Sequence, residues 1–201
     1  VIPRPAAPTR WRLVSEPRLT EAEFLSLCRA NPDLRLERTA EGAIIVMPPT
    51  GGDTGERNSE INYQLRRWLK HHRSGKVYDS STAFRLPTGA TRSPDAAWVG
   101  PERLATLTAE DLEGFPPVCP DFVVELRSAT DRLRDLQVKM REYDDNGARL
   151  GWLIDPVART AFVYRPGRPV ERCVRPPVLR GEPELPGLAL DLMEVWGRGS
   201  G

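Results

Sequence analysis

Short stretches of apolar residues, alternating with polar ones or running together, are separated by longer segments with a helical repeat, and that order predicts a mixed α/β fold. After a proline-rich arm, segment 19–31 offers Thr20 as an N-cap with Glu23 three positions on, and Phe24, Leu25 and Cys28 on one side. This is a capped helix that stops before Pro32. Segments 34–38 and 43–47 read as a hairpin turning at 39–42, and PPTGGDTG reads as a loop. From Glu56 to about Arg73, Ile61, Leu65, Trp68 and Leu69 recur at helical spacing and predict an amphipathic helix ending before Gly75.

KVYDSSTAFRLP and DAAWVG are short strand candidates, and LATLTAEDLEGF is a mixed loop and helix. DFVVELRS follows as an interior strand, apolar on both faces except at Glu125. DRLRDLQVKMREYDDNG predicts a second amphipathic helix with Leu133, Leu136, Met140 and Tyr143 in one stripe and Asn146-Gly147 as its stop. RLGWLIDP and TAFVYRP are the next strands, divided by a turn at Asp155-Pro156, and the chain closes on a strand and a short helix. The expected architecture is a central mixed β-sheet flanked by helices, with residues 1–18 as an N-terminal arm and 19–201 as one domain.

Composition narrows the function classes. The 29 basic and 28 acidic residues leave a formal net charge of +1, so contact with a polyanion must come from a local patch. Three scattered cysteines without C-x-x-C spacing argue against a disulfide framework or a zinc site and point to a reducing cytoplasm. No apolar run approaches the ~18 residues of a membrane span, and the first residues lack a signal-peptide pattern. Neither membrane nor secretion is expected.

Three ionisable residues sit against this pattern. Asp95 opens an apolar strand directly after Pro94, Glu125 interrupts Val-Val-Glu-Leu, and Lys139 lies on the flank of the following helix's apolar stripe. A carboxylate in a strand buried on both faces must be paired, hydrogen-bonded or bound to a cation. Two carboxylates and a backbone carbonyl can hold Mg²⁺ or Mn²⁺, while a lysine orients or deprotonates water and steadies phosphate charge, which together make a phosphodiesterase site. The bland alternatives stay open: Pro-Asp as an ordinary turn, and Glu125 with Lys139 as an ion pair that only supports packing. A glycosidase pair is disfavoured because no aromatic cluster is present to seat a sugar.

The segments PPTGGDTGERNSEI, STAFRLPTGATRSPDAAWV, CPDFVVELRSATDRLRDLQVKMREYDDNGARLGWLIDP and LPGLALDL together resemble the Uma2 family from about Leu19 to Trp196. These are bacterial restriction-endonuclease-like proteins of the PD-(D/E)xK superfamily. The resemblance implies a restriction-endonuclease-like fold and a metal-dependent endonuclease acting on nucleic acid, DNA foremost. Asp95 takes the place of the motif aspartate, Glu125 that of the following acid, and Lys139 that of a lysine displaced onto the next helix. Asp95, Glu125 and the Leu126 carbonyl would bind Mg²⁺ or Mn²⁺. The usual lysine slot, two residues after the acid, holds Arg127, which can bind phosphate but cannot act as a base.

Superfamily enzymes often add an acidic residue from the first core helix. Glu60 fits by position, but Asn58 lies closer to the buried side of that helix. His71 and His72, among four basic neighbours, read as a solvated helix end or as a phosphate-steering patch. Trp98 and Trp152 are expected in the core. Cutting both strands of a duplex suggests a homodimer, paired through a C-terminal strand edge. A second reading, from a different class, is a catalytically silent nuclease-fold protein that binds nucleic acid or a protein partner.

Overall fold

The computed structural model describes residues 18–197 together with the backbone of Arg12–Leu13; the rest of the expected 1–18 arm and residues 198–201 lie outside the described residues. Strand β1 (Arg12–Leu13) and helix α1 (Glu21–Ala30) precede the hairpin of β2 (Arg35–Arg38) and β3 (Ile44–Met47). The long α2 (Gly52–His72) leads to β4 (Lys76–Asp79), β5 (Phe84–Arg85), β6 (Thr91–Arg92) and β7 (Ala96–Val99). Two short helices, α3 (Pro101–Leu104) and α4 (Ala109–Glu113), come before β8 (Phe122–Leu126), α5 (Leu133–Asp145) and the hairpin of β9 (Leu150–Asp155) and β10 (Thr160–Tyr164). The chain then forms β11 (Glu171–Val174), β12 (Val178–Arg180), β13 (Ala189–Asp191) and α6 (Leu192–Trp196).

The main sheet has six strands in the order β11-β10-β9-β8-β7-β4. Among the described residues only β8 and β9 run parallel, joined by the α5 crossover, because parallel neighbours need a connection long enough to return the chain to its starting end. Every residue of β8, β9 and β10 is buried. One face carries Phe122, Val124 and Leu126 against Ile61 and Leu65 of α2 and Leu192 of α6. The other carries Val123 and Leu153 against Leu136, Met140 and Tyr143 of α5. Since side chains alternate along a strand, Glu125 shares the α5 face with Val123. Gly151 allows α5 to lie close: a Cβ there would stand 2.5 Å from the Met140 methyl.

A second sheet, ordered β1-β3-β2-β6-β5, rests beside the first. Its outer side is covered by α1, with Phe24, Leu36 and Ile44 as a small core. The helix α1 opens as expected, with Thr20 accepting from the Glu23 amide and the Glu23 carboxylate accepting from the Thr20 amide. Two expectations change. Helix α2 starts at Gly52 rather than Glu56, so the second half of PPTGGDTG is its first turn and not a loop. The C-terminal region holds three strands where one was expected. Trp98 and Trp152 are both buried, as the pattern implied.

Candidate active site

Asp95 follows Pro94 at the entrance to β7, the central antiparallel neighbour of β8. Its Oδ2 accepts a hydrogen bond from the Leu126 amide at 2.8 Å, and its Oδ1 accepts from Asn58 Nδ2 at 3.2 Å. Asn62 Nδ2 donates to the Asp95 carbonyl at 3.1 Å, so two side chains of α2 fix the turn that presents this carboxylate. A strand residue's N–H and C=O leave on the same side. The Leu126 carbonyl therefore leaves β8 toward Asp95 as well.

Glu125, one residue earlier, points to the α5 face. Its Oε1 lies 2.7 Å from Lys139 Nζ and accepts from the Tyr143 hydroxyl at 3.1 Å. Both contacts go to one oxygen, which leaves Oε2 for another partner. Lys139 and Tyr143 are one helical turn apart on α5, so the same face presents both donors.

Lys139 does not stretch over the sheet edge, as its place on the flank of the stripe suggested. It is buried between the two sheets, where Nζ also lies 2.7 Å from Glu37 Oε1 and 3.2 Å from the Ser93 carbonyl. Glu37, on β2, is 2% exposed. It also accepts from the Ser93 amide at 3.0 Å and pairs with Arg92 at 3.1 Å. Arg92 in turn pairs with Glu142 of α5.

The electrostatics follow from this geometry. Burial pushes the Glu125 carboxyl up to about 7; Lys139 opposes that rise, while Asp95 and Glu37 add to it. Burial likewise raises Asp95 against the opposing Leu126 amide and Lys139 charge. For Lys139, burial favours the neutral amine, yet Glu125 and then Glu37 outweigh it and hold the ammonium above the ordinary lysine value. Of the two roles the sequence offered Lys139, the cationic donor fits this environment and the base does not.

Asp95, Glu125, Leu126 and Lys139 all line a cleft of about 720 Å³. One wall is apolar, made by Leu36, Val46, Met47 and Pro48 of the hairpin; the other is polar, made by the β8–α5 loop with Ser128 and Thr130. The N-cap Gly51 and the first turn of α2 line it as well.

Among the described residues no group of three or more His, Cys, Asp or Glu side chains is gathered closely enough to hold a metal. The donor set on offer is two carboxylates and one carbonyl. That matches Mg²⁺, which is commonly bound through one or two carboxylates and keeps several waters. Two further observations fit a cation here. Asn58 Oδ1 is buried beside Asp95 with no hydrogen-bond partner. And with every group ionised, the cluster would set four carboxylates (Glu37, Asp95, Glu125, Glu142) against two cations (Arg92, Lys139), a surplus of two negative charges that a divalent ion would balance.

Other expected participants fall outside the cleft. Arg127, the residue in the usual lysine slot, is turned away: it pairs with buried Asp155 at 2.7 Å and donates to the Asp131 carbonyl. Strand β8 ends at Leu126, so Arg127 is released from the alternation that would have set it on Glu125's face, and it neutralises Asp155 instead of meeting phosphate. Glu60 accepts from Gln64 at 2.9 Å and does not reach the site, whereas Asn58 does. His72 stacks on Trp68 at 4.8 Å and bonds the Trp68 carbonyl. Sequence reasoning missed Glu37 and Arg92. Within LRLER, Glu37 alternates with Leu36 and reads as the outward side of a half-exposed hairpin, and no signal in the chain betrays that a second layer covers that side.

A mixed sheet with helices on both faces, its parallel pair joined by a crossover helix, is the architecture of a restriction-endonuclease-like fold. A crystal structure of "a putative nuclease belonging to DUF820" from Anabaena variabilis ATCC 29413 shares this fold, with a TM-score of 0.74 and 23% identity over 89% of this chain and 97% of that one. The profile of the Uma2 family, described as "Putative restriction endonuclease", matches residues 21–193, and the chain belongs to that family. No curated protein matches.

Proposed function

We propose that this protein is a metal-dependent endonuclease that hydrolyses phosphodiester bonds in nucleic acid, DNA foremost, with Mg²⁺ or Mn²⁺ held by Asp95, Glu125 and the Leu126 carbonyl. The observation that carries the reading is the meeting of two carboxylates and an ammonium on the floor of one cleft. When bound, the ion would polarise the scissile phosphate and make water a better nucleophile. Asp95, steadied by the Leu126 amide and Asn58, and Glu125, through its unspent Oε2, would supply negative oxygen donors. Lys139, its ammonium held by Glu125, Glu37 and the Ser93 carbonyl, would steady the growing phosphate charge through its positive field. The apolar hairpin wall suits the faces of bases more than phosphates, which favours a nucleic acid over a small phosphate ester.

Cleavage of both strands of a duplex calls for two sites, and the outer edge of β11 ends the main sheet among the described residues, so we place a second copy there. Sedimentation velocity is expected to show a dimer, and a monomer at every concentration would remove that part. The cytoplasm suits the three free thiols; no helix among the described residues is long and apolar enough to cross a membrane.

The test is nicking of supercoiled plasmid, with single-stranded DNA and RNA as companion substrates, in Mg²⁺, Mn²⁺ or chelator. Metal-dependent cutting is expected, reduced on the order of a hundredfold or more in Asp95→Asn and Glu125→Gln. Because the Glu125–Lys139 contact on its own fits a packing ion pair, the rival is a protein that binds nucleic acid without cutting it. Retention of nucleic acid with no cleavage in any metal would establish that rival.

A further inference from the structure

Lys139 creates a difficulty for any cation at this site. Its ammonium is 2.7 Å from Glu125 Oε1, close enough to cancel the charge that a metal would need. Glu37 bears on that difficulty. It approaches the same Nζ at the same 2.7 Å, from a different sheet, and it does not line the cleft. Its second oxygen meets Arg92, and its first also receives the amide of Ser93, two residues before Asp95.

Resting on the nuclease reading above, we propose that Glu37 is a positioning residue for the metal site: it takes up the charge of Lys139 so that Glu125 stays available as an anionic ligand, and it anchors the Ser93–Asp95 turn. A buried ammonium held by two carboxylates neutralises only one of them. Removing the charge of Glu37 leaves Lys139 to Glu125 alone, and the pocket then presents one negative charge fewer to a divalent ion. Groups that support metal ligands in this indirect way commonly change metal affinity 10–100-fold.

The experiment is Mn²⁺ binding to the full chain without nucleic acid, followed by the electron paramagnetic resonance signal of free Mn²⁺, with circular dichroism to report folding. Glu37→Gln keeps the shape and the acceptor for Ser93, and it is expected to weaken Mn²⁺ binding about 10–100-fold. The paired variant Glu37→Gln/Lys139→Met restores the charge balance and is expected to bind within a few-fold of the wild type. Circular dichroism separates this from a merely structural role, in which weaker binding in Glu37→Gln would come with a loss of fold.

Wild-type affinity in Glu37→Gln, or a paired variant as weak as the single one, overturns the proposal. Should Glu37→Gln fail to fold, the paired variant decides: wild-type-like affinity supports the proposal, and weak binding overturns it. A wild type that binds no Mn²⁺ removes the metal reading, and this inference with it; a wild type that binds, beside an unaffected Glu37→Gln, removes the inference alone.

Discussion

A carboxylate at the centre of a fully buried strand raises the question of what shares its charge, and in Glu125 the answer has a measurable consequence. Its ordinary value of 4.5 is lifted to about 7, first by burial, with Asp95 and Glu37 adding to the rise against Lys139. A raised carboxyl binds a proton in the folded state that the unfolded chain has already released, so folding stability falls as pH rises from about 5 to 7. Glu37 is shifted the other way, because Lys139 and Arg92 outweigh its burial, and its contribution is lost only as pH drops below its ordinary value of 4.5. The two effects therefore occupy separate windows. Without metal, the thermal midpoint is expected to fall between pH 5 and 7; with saturating Mn²⁺, which favours deprotonated ligands, the stabilisation is expected to grow over the same range. Thermal melts at several pH values check this, and a metal-induced shift that ignores pH would contradict it.

The same residues show what a single sequence can reveal. Asp95, Glu125 and Lys139 were legible because each breaks or flanks an apolar pattern, and a buried charge must have a reason. Arg127 occupied a familiar slot but serves Asp155, a partner 28 residues away that no local pattern announces. Glu37 stayed hidden because its partner Lys139 is 102 residues distant.

Among the elements, those with strong periodicity were readable. The hairpin of β2 and β3, the crossover helix α5 and the interior strand β8 lie where their patterns place them. The start of α2 was not readable, because Gly51, Gly52 and Gly55 are poor helix formers and tertiary context overrides that preference. With its first turn lining the cleft, α2 also supplies Asn58 one and a half turns further on. Strand β11 escaped notice because its ERCV is largely exposed and pairs with one neighbour only, so no buried face imposes a pattern. The β8–α5–β9 unit, by contrast, announced both its strands and its helix, and with them two of the three site residues.

For the whole molecule, the site belongs to neither sheet alone. The main sheet gives Asp95 and Glu125, α5 lays Lys139 over them, and the smaller sheet brings Glu37 and the apolar wall. The proposed metal site rests on that convergence. It is tested most directly by anomalous diffraction from a crystal grown in millimolar Mn²⁺. The account predicts a single strong peak with one oxygen each from Asp95, Glu125 and the Leu126 carbonyl at roughly 2.1 Å. Empty density between the two carboxylates at that concentration, or a metal bound elsewhere, would contradict it.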